Sequence, residues 1–148
     1  MPSQFSTFLS KQRKETPLIL IVDDNEDNIL FASSALQLLN FDCIVANGGK
    51  KAIEIAKDEL PDLILLDIIM PNISGIEVTR ILKHNPQTAH IPIVAVTGLT
   101  YPIQLQKIVD AGCNDYLCKP YLIKDLAEKL SNLIGVGTDR HVENYRSR

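Results

Sequence analysis

Four places in the sequence hold side chains able to do chemistry, and each closes a short apolar run. Asp23 and Asp24 end the run LILIV at 18–22. Asp67 ends DLILL at 62–66, and Thr97 ends IPIVAV at 91–96. A weaker run, NDYL at 114–117, leads into Cys118, Lys119 and Pro120. Taken singly, each Asp reads as an ordinary turn or cap residue. Together they offer three carboxylates, a hydroxyl and an ammonium. Clustered carboxylates repel one another unless a cation joins them. Oxygen ligands alone favour a hard cation, of which Mg²⁺ is the usual cytosolic choice. A lysine and a hydroxyl beside such an ion add two contacts for phosphate oxygens. The set suits a phosphoryl group carried on a carboxylate.

That chemistry requires an architecture bringing the strand ends together. The Ile-, Leu- and Val-rich runs are short, as expected of strands buried on both faces. DCIVA at 42–46 is a further weak strand candidate. Helix-length segments lie between them, at about 26–39, 50–60, 74–85, 101–112 and 122–134. Pro61 and Pro86 follow helices, Pro102 suits a first turn, and Gly112 suits a helix end. Five βα units imply an α/β fold: a doubly wound, flavodoxin-like parallel sheet of five strands in the order 2-1-3-4-5. Ligands bind such sheets at the carboxyl ends of the strands, where these residues sit.

Composition narrows the classes. The 148 residues are 45% hydrophobic and 22% charged, which excludes a disordered, collagenous or coiled-coil chain. No apolar run approaches the ~18–20 residues of a membrane span, and the polar, basic first 16 residues lack the apolar stretch of a signal peptide. The net charge of −3 is uneven. Lys11, Arg13 and Lys14 outweigh Glu15 near the start, and three Arg outweigh Asp139 and Glu143 near the end, so the middle is markedly acidic. Such a body disfavours a nucleic-acid surface. Cys43, Cys113 and Cys118 form no CxxC and no even set, so they read as reduced structural thiols of a cytoplasmic protein, expected to be buried. His84, His90 and His141 stand in no motif, and Gly48-Gly49-Lys50 lacks the rest of a phosphate loop.

The segments V-D-D at 22–24, L-L-D-I-I-M-P at 65–71 with Gly75, A-V-T-G at 95–98 and A-G-C-N-D-Y-L-C-K-P at 111–120 resemble the receiver domain of two-component response regulators. The resemblance covers 17–134, with flexible tails expected at 1–16 and 135–148. It implies that Asp67 is the phosphoacceptor and Asp24 a direct Mg²⁺ ligand, with Asp23 a ligand working largely through water. It implies a further metal contact from the backbone carbonyl of Ile69. Thr97 resembles the switch hydroxyl, Lys119 the phosphate-pairing lysine and Tyr116 the switch aromatic, and the Lys119–Pro120 bond is expected to be cis. Tyr116 is also readable as a plain half-buried strand aromatic.

The residues themselves are compatible with those roles. Asp67 is the lone acid on its strand end, and Gly98 leaves room beside Thr97 for a phosphodonor. A flavodoxin would need a neutral, hydroxyl-rich loop where Asp23-Asp24-Asn25-Glu26-Asp27 stands. An aspartyl phosphatase would carry a second acid where Ile69 stands. The remaining alternative is a phosphate-independent receiver-like adaptor, whose signature would be a lost acid, threonine or lysine. The expectation is therefore a single-domain response regulator and not an enzyme on a separate substrate. Its expected partners are a histidine kinase or histidine phosphotransfer protein and a downstream protein target, with neither nucleic acid nor membrane. On the first helix, Phe31, Ala32, Ala35, Leu36, Leu38 and Leu39 share a broad face expected to meet the core, with Leu30 nearly opposite. No charge follows Asp27 through Asn40. That outer surface reads either as an incidental apolar patch or as a docking face for a phosphotransfer partner.

Overall fold

The structure, a computed structural model, describes residues 16–135. The expected tails lie outside these residues, apart from positions 16 and 135. Five strands, β1 (Leu18–Val22), β2 (Asp42–Ala46), β3 (Leu63–Asp67), β4 (Ile93–Thr97) and β5 (Asp115–Cys118), alternate with five helices. The helices are α1 (Glu26–Leu38), α2 (Gly49–Glu59), α3 (Gly75–His84), α4 (Pro102–Ala111) and α5 (Ile123–Ile134). All strand pairs are parallel, in the order β2-β1-β3-β4-β5. This is the flavodoxin-like order. Asp67 and Thr97 prove to be the last residues of β3 and β4 rather than the residues after them.

The two-residue period of a strand divides the core between two faces. Ile19, Ile21, Leu63, Leu65, Val94 and Val96 pack against Ala32, Ala35 and Leu36 of α1 and Leu126, Ala127 and Leu130 of α5. Leu20, Val22, Ile64, Leu66 and Ile93 pack against Ala52 and Ala56 of α2 and Val78 and Leu82 of α3. Full burial of such a Leu or Ile contributes roughly 1.5–3 kcal/mol. Helix α4 is different: it buries only Ile108 and Ala111.

Local chemistry fixes the helix ends. Asn25 caps α1 by accepting from the Asn28 N–H at 3.0 Å, and Ser74 caps α3 by accepting from Glu77 at 3.3 Å. Asp125 accepts the Leu122 N–H at the start of α5. Pro102 opens α4 and Gly112, with φ of 109°, closes it in the left-handed conformation.

Two expectations need correction. Phe31 and Leu38 do not join the core. They are 43% and 56% exposed, because the small residues Ala32 and Ala35 bring α1 close to the sheet and leave only a narrow buried stripe. Leu30 is 66% exposed, as expected. The cysteines are free but not all buried: Cys43 lies exposed on the edge strand β2 and Cys118 is exposed at the end of β5. Only Cys113 is partly buried, 3.4 Å from the Thr79 hydroxyl. Edge position and strand end override the usual burial of cysteine.

Candidate functional site

The carboxyl ends of β1, β3, β4 and β5 meet in one cleft. Asp23, directly after β1, is buried, and one of its oxygens accepts the Asn25 N–H at 2.9 Å. Its other oxygen lies 4.0 Å from Lys119 Nζ. Asp24 is exposed at the cleft mouth. Asp67 is buried, and its Oδ1 accepts from Lys119 Nζ at 3.1 Å. One carboxylate oxygen from each of Asp23, Asp24 and Asp67 lies within 4.8 Å of the others. Lys119 is aimed inward from a loop anchored by its own N–H, which donates to the Thr97 carbonyl at 2.8 Å, and the Lys119–Pro120 peptide is cis.

Gly75 holds the opposite wall. A Cβ there would stand 2.5 Å from the Asp67 carbonyl oxygen and 2.7 Å from Ile68 Cα. Only glycine lets α3 begin directly against the end of β3, with the Gly75 N–H donating to the Ile68 carbonyl at 2.8 Å. Gly98 is the reverse case, since a Cβ there would meet nothing within 4 Å. The approach beside Thr97 is therefore open.

Three acids and one ammonium leave the cleft negative. Burial pushes the Asp67 carboxyl above its ordinary value. The hydrogen bond from Lys119 opposes this, Asp23 adds to it, and the charge of Lys119 and the Ile69 N–H pull it back. Tyr121 is pushed up to about 12, first by burial and then by the Asp23 charge. A hard divalent cation held by the three carboxylates would offset this repulsion, and an all-oxygen donor set of this size fits Mg²⁺.

Thr97 is buried, but its hydroxyl faces its own loop: it accepts the Leu99 N–H at 3.0 Å and donates to the Leu99 carbonyl at 3.3 Å. Tyr116 is 37% exposed, with its ring under the ammonium of Lys129. Ile69 and Leu99, each two residues past a strand-end site residue, are exposed. The fold thus brings Asp23, Asp24, Asp67 and Lys119 together, with Thr97 on the adjacent strand end and its hydroxyl turned aside. Sequence reasoning missed the other wall. A cavity of about 360 Å³ adjoins the acids, lined by Ile21, Leu65 and Val96 and by Phe31 and Tyr121. The last two rings meet edge to face, 5.3 Å between centroids. The aromatic directly after Lys119-Pro120 was the available signal.

The family model for the response regulator receiver domain matches residues 19–131. The chain belongs to this family. Among curated receivers, it is 33% identical over 120 residues to the polar-differentiation response regulator DivK of Brucella ovis, covering 81% of this chain and 98% of DivK. It is 41% identical over 130 residues to a probable cyclic di-GMP phosphodiesterase of Vibrio cholerae, covering 88% of this chain but only 27% of that protein. Among solved structures, the Vibrio cholerae chemotaxis protein CheY4 superposes with a TM-score of 0.76 at 26% identity, covering 80% of this chain and 98% of the other. The receiver domain of a Pseudomonas aeruginosa sensor histidine kinase, with a magnesium ion coordinated in its active-site cleft, gives 0.77 at 29% identity, covering 81% and 98%. No helix among the described residues of this receiver is long and apolar enough to cross a membrane.

Proposed function

We propose that this receiver accepts a phosphoryl group on Asp67 from a histidine kinase or a histidine phosphotransfer protein. The reaction depends on Mg²⁺, and the phosphorylated form signals by altered docking to a downstream protein in the cytoplasm. The observation that carries this reading is the pairing of buried Asp67 with Lys119 at 3.1 Å, beside two further carboxylates that could share a metal.

An oxygen of the Asp67 carboxylate attacks the phosphorus of a phosphohistidine. A P–O bond forms, the P–N bond breaks, and the imidazole leaves with the electron pair. Burial raises the basicity of Asp67, which suits a nucleophile. Asp23, Asp24, Asp67 and the Ile69 carbonyl would hold Mg²⁺, which when bound supplies charge compensation for the phosphate oxygens. Lys119 pairs with one of those oxygens after transfer. The Thr97 hydroxyl, released from Leu99, is placed to bond another, and Tyr116 follows the space that Thr97 vacates. The protein catalyses only its own phosphorylation and dephosphorylation. The magnesium-bearing kinase receiver supports the metal reading, and the full-length DivK match supports the response-regulator reading.

The test is incubation with Mg²⁺ and acetyl phosphate followed by intact-mass measurement. Wild type is expected to gain one HPO₃, and EDTA is expected to abolish the gain. An adduct that persists in Asp67→Asn would place the phosphoacceptor elsewhere. No adduct in wild type would favour a phosphate-independent adaptor.

A further inference from the structure

We propose that Lys129 is a positioning residue for Tyr116, holding its ring outside the sheet and so biasing this receiver toward its resting state. The inference rests on the phosphoacceptor reading above and adds a residue that sets its threshold.

The register defines two places for the Tyr116 ring. Ala95 pairs with Tyr116 and Thr97 pairs with Cys118. Paired residues of parallel strands, and residues two apart on one strand, share a face. Tyr116, Ala95 and Thr97 therefore lie on one side of the sheet. Between Tyr116 and Thr97 on that face stands Ala95, whose side chain is a single methyl group. The neighbours Asp115 and Val94 point to the other side, the side of α1 and α5. Because β5 is an edge strand, a ring on its far face can also swing outward round the edge.

Lys129 occupies the outer place. From α5 its ammonium bonds Asp115 Oδ1 at 2.9 Å and lies 5.8 Å from the Tyr116 ring centroid. The same Asp115 oxygen accepts the Tyr116 N–H at 2.8 Å. One carboxylate thus ties the backbone of Tyr116 to the cation that its ring faces. The Thr97 hydroxyl is meanwhile engaged with Leu99. Both mobile parts of the switch are held away from Asp67, one by its own loop and the other by Lys129. An inward ring must give up the cation, and a cation–ring contact at a partly exposed site is worth a factor of about 2 to 5 in the equilibrium.

Three variants separate charge from packing. Lys129→Gln keeps a donor for Asp115 without charge, Lys129→Met keeps only the stem, and Lys129→Arg keeps charge and donor together. Each is prepared with 3-fluorotyrosine, and the Tyr116 fluorine resonance is assigned by its loss in Tyr116→Phe. Resonance position is read with and without Mg²⁺ and beryllofluoride, a phosphoryl mimic, whose apparent Kd is measured alongside. In both neutral variants the metal-free resonance is expected to move toward its beryllofluoride-bound position, and beryllofluoride to bind about 2 to 5 times more tightly. Lys129→Arg is expected to match wild type. Wild-type behaviour in both neutral variants would overturn the proposal, and so would an equal change in Lys129→Arg, which would indicate packing rather than charge. A wild-type Tyr116 resonance that ignores beryllofluoride would overturn the switch reading itself, and the proposal with it.

Discussion

At the amino ends of the strands, Asp62 and Asn114 direct their side-chain oxygens to backbone N–H groups. Asp62 accepts from Leu18 at 2.7 Å, across β1 and β3, and Asn114 accepts from Ile93 at 2.9 Å, across β4 and β5. Asp115 accepts from Tyr116 and from Lys129. At the carboxyl ends, Asp23, Asp24 and Asp67 converge on one another with a single ammonium among them. The same residue type at the two ends of one sheet does opposite work: capping at one end, collecting charge at the other. The direction of the chain decides which. In a parallel sheet every following helix starts at the carboxyl edge, and its N-terminal dipole favours negative charge there. The amino edge instead presents first-residue N–H groups that need acceptors.

The contrast breaks first if an acid at the wrong end matters for chemistry. Asp67→Asn is expected to lose labelling by acetyl phosphate entirely, while Asp62→Asn and Asp115→Asn label as wild type. Intact mass reads all three, and loss of labelling in a well-folded Asp62→Asn would sink the division. Docking sharpens the same contrast, because a phosphohistidine donor must cover the carboxyl edge. Leu30, 66% exposed, lies on the second turn of α1, which starts at that edge. Leu30→Glu is expected to lower kinase-driven phosphorylation by an order of magnitude or more, since burying a leucine contributes roughly 1.5–3 kcal/mol. Labelling by acetyl phosphate is expected to survive. Equal loss in both assays would mean that the change damages the fold, not the docking.

Stability supplies a difference of sign. Asn114→Ala leaves the Ile93 N–H without its acceptor and is expected to cost about 1–3 kcal/mol in urea unfolding. Asp67→Asn is expected to stabilise the metal-free protein. The Asp67 carboxyl is raised above its ordinary value of 3.8 by burial. Its protonated form therefore contributes stability that is fully present below the ordinary value and is lost as pH rises through the raised one. The advantage of Asp67→Asn should accordingly be present at neutral pH in EDTA and shrink on acidification. An advantage that grew on acidification would mean that the Asp67 carboxyl is lowered by Lys119 rather than raised by burial.

Much of this was legible in the residues. Period and punctuation located all ten elements: β1, β3 and β4, buried on both faces, read as unbroken apolar runs, Pro and Gly mark helix ends, and the exposed edge strands β2 and β5 gave only the weaker runs DCIVA and NDYL. The acids, Thr97 and Lys119 were legible because their positions at strand ends are a property of the chain alone. What was not legible depends on side-chain size across elements. The outward placement of Phe31 follows from the close approach that Ala32 and Ala35 allow, and its pairing with Tyr121 joins residues far apart in sequence. The brace among Asp115, Tyr116 and Lys129 likewise needs the position of α5 beside an edge strand, which no local pattern states.

The smallest expected effect concerns the rim of the carboxyl edge. Hydrolysis of a phosphorylated Asp67 needs a water in line with the bond to be broken. Ile69, 61% exposed, and Leu99, 38% exposed, follow Asp67 and Thr97 by two residues, just past the ends of β3 and β4. Neither side chain can hydrogen-bond that water. The phosphorylated state is therefore expected to be long-lived for a receiver. Ile69→Asn supplies a donor and an acceptor at the same place without touching the acids, since Ile69 bonds Asp67 through its backbone N–H alone. Decay of the phosphoprotein in Mg²⁺ buffer is expected to quicken by a factor of about 3 to 10, roughly 1 kcal/mol of barrier. Labelling by acetyl phosphate should reach the same initial rate, because the incoming group brings its own phosphorus and needs no ordered water. If decay were unchanged while Leu99→Asn quickened it, the water would approach from the β4 side, and Ile69 would be no more than an exposed rim residue.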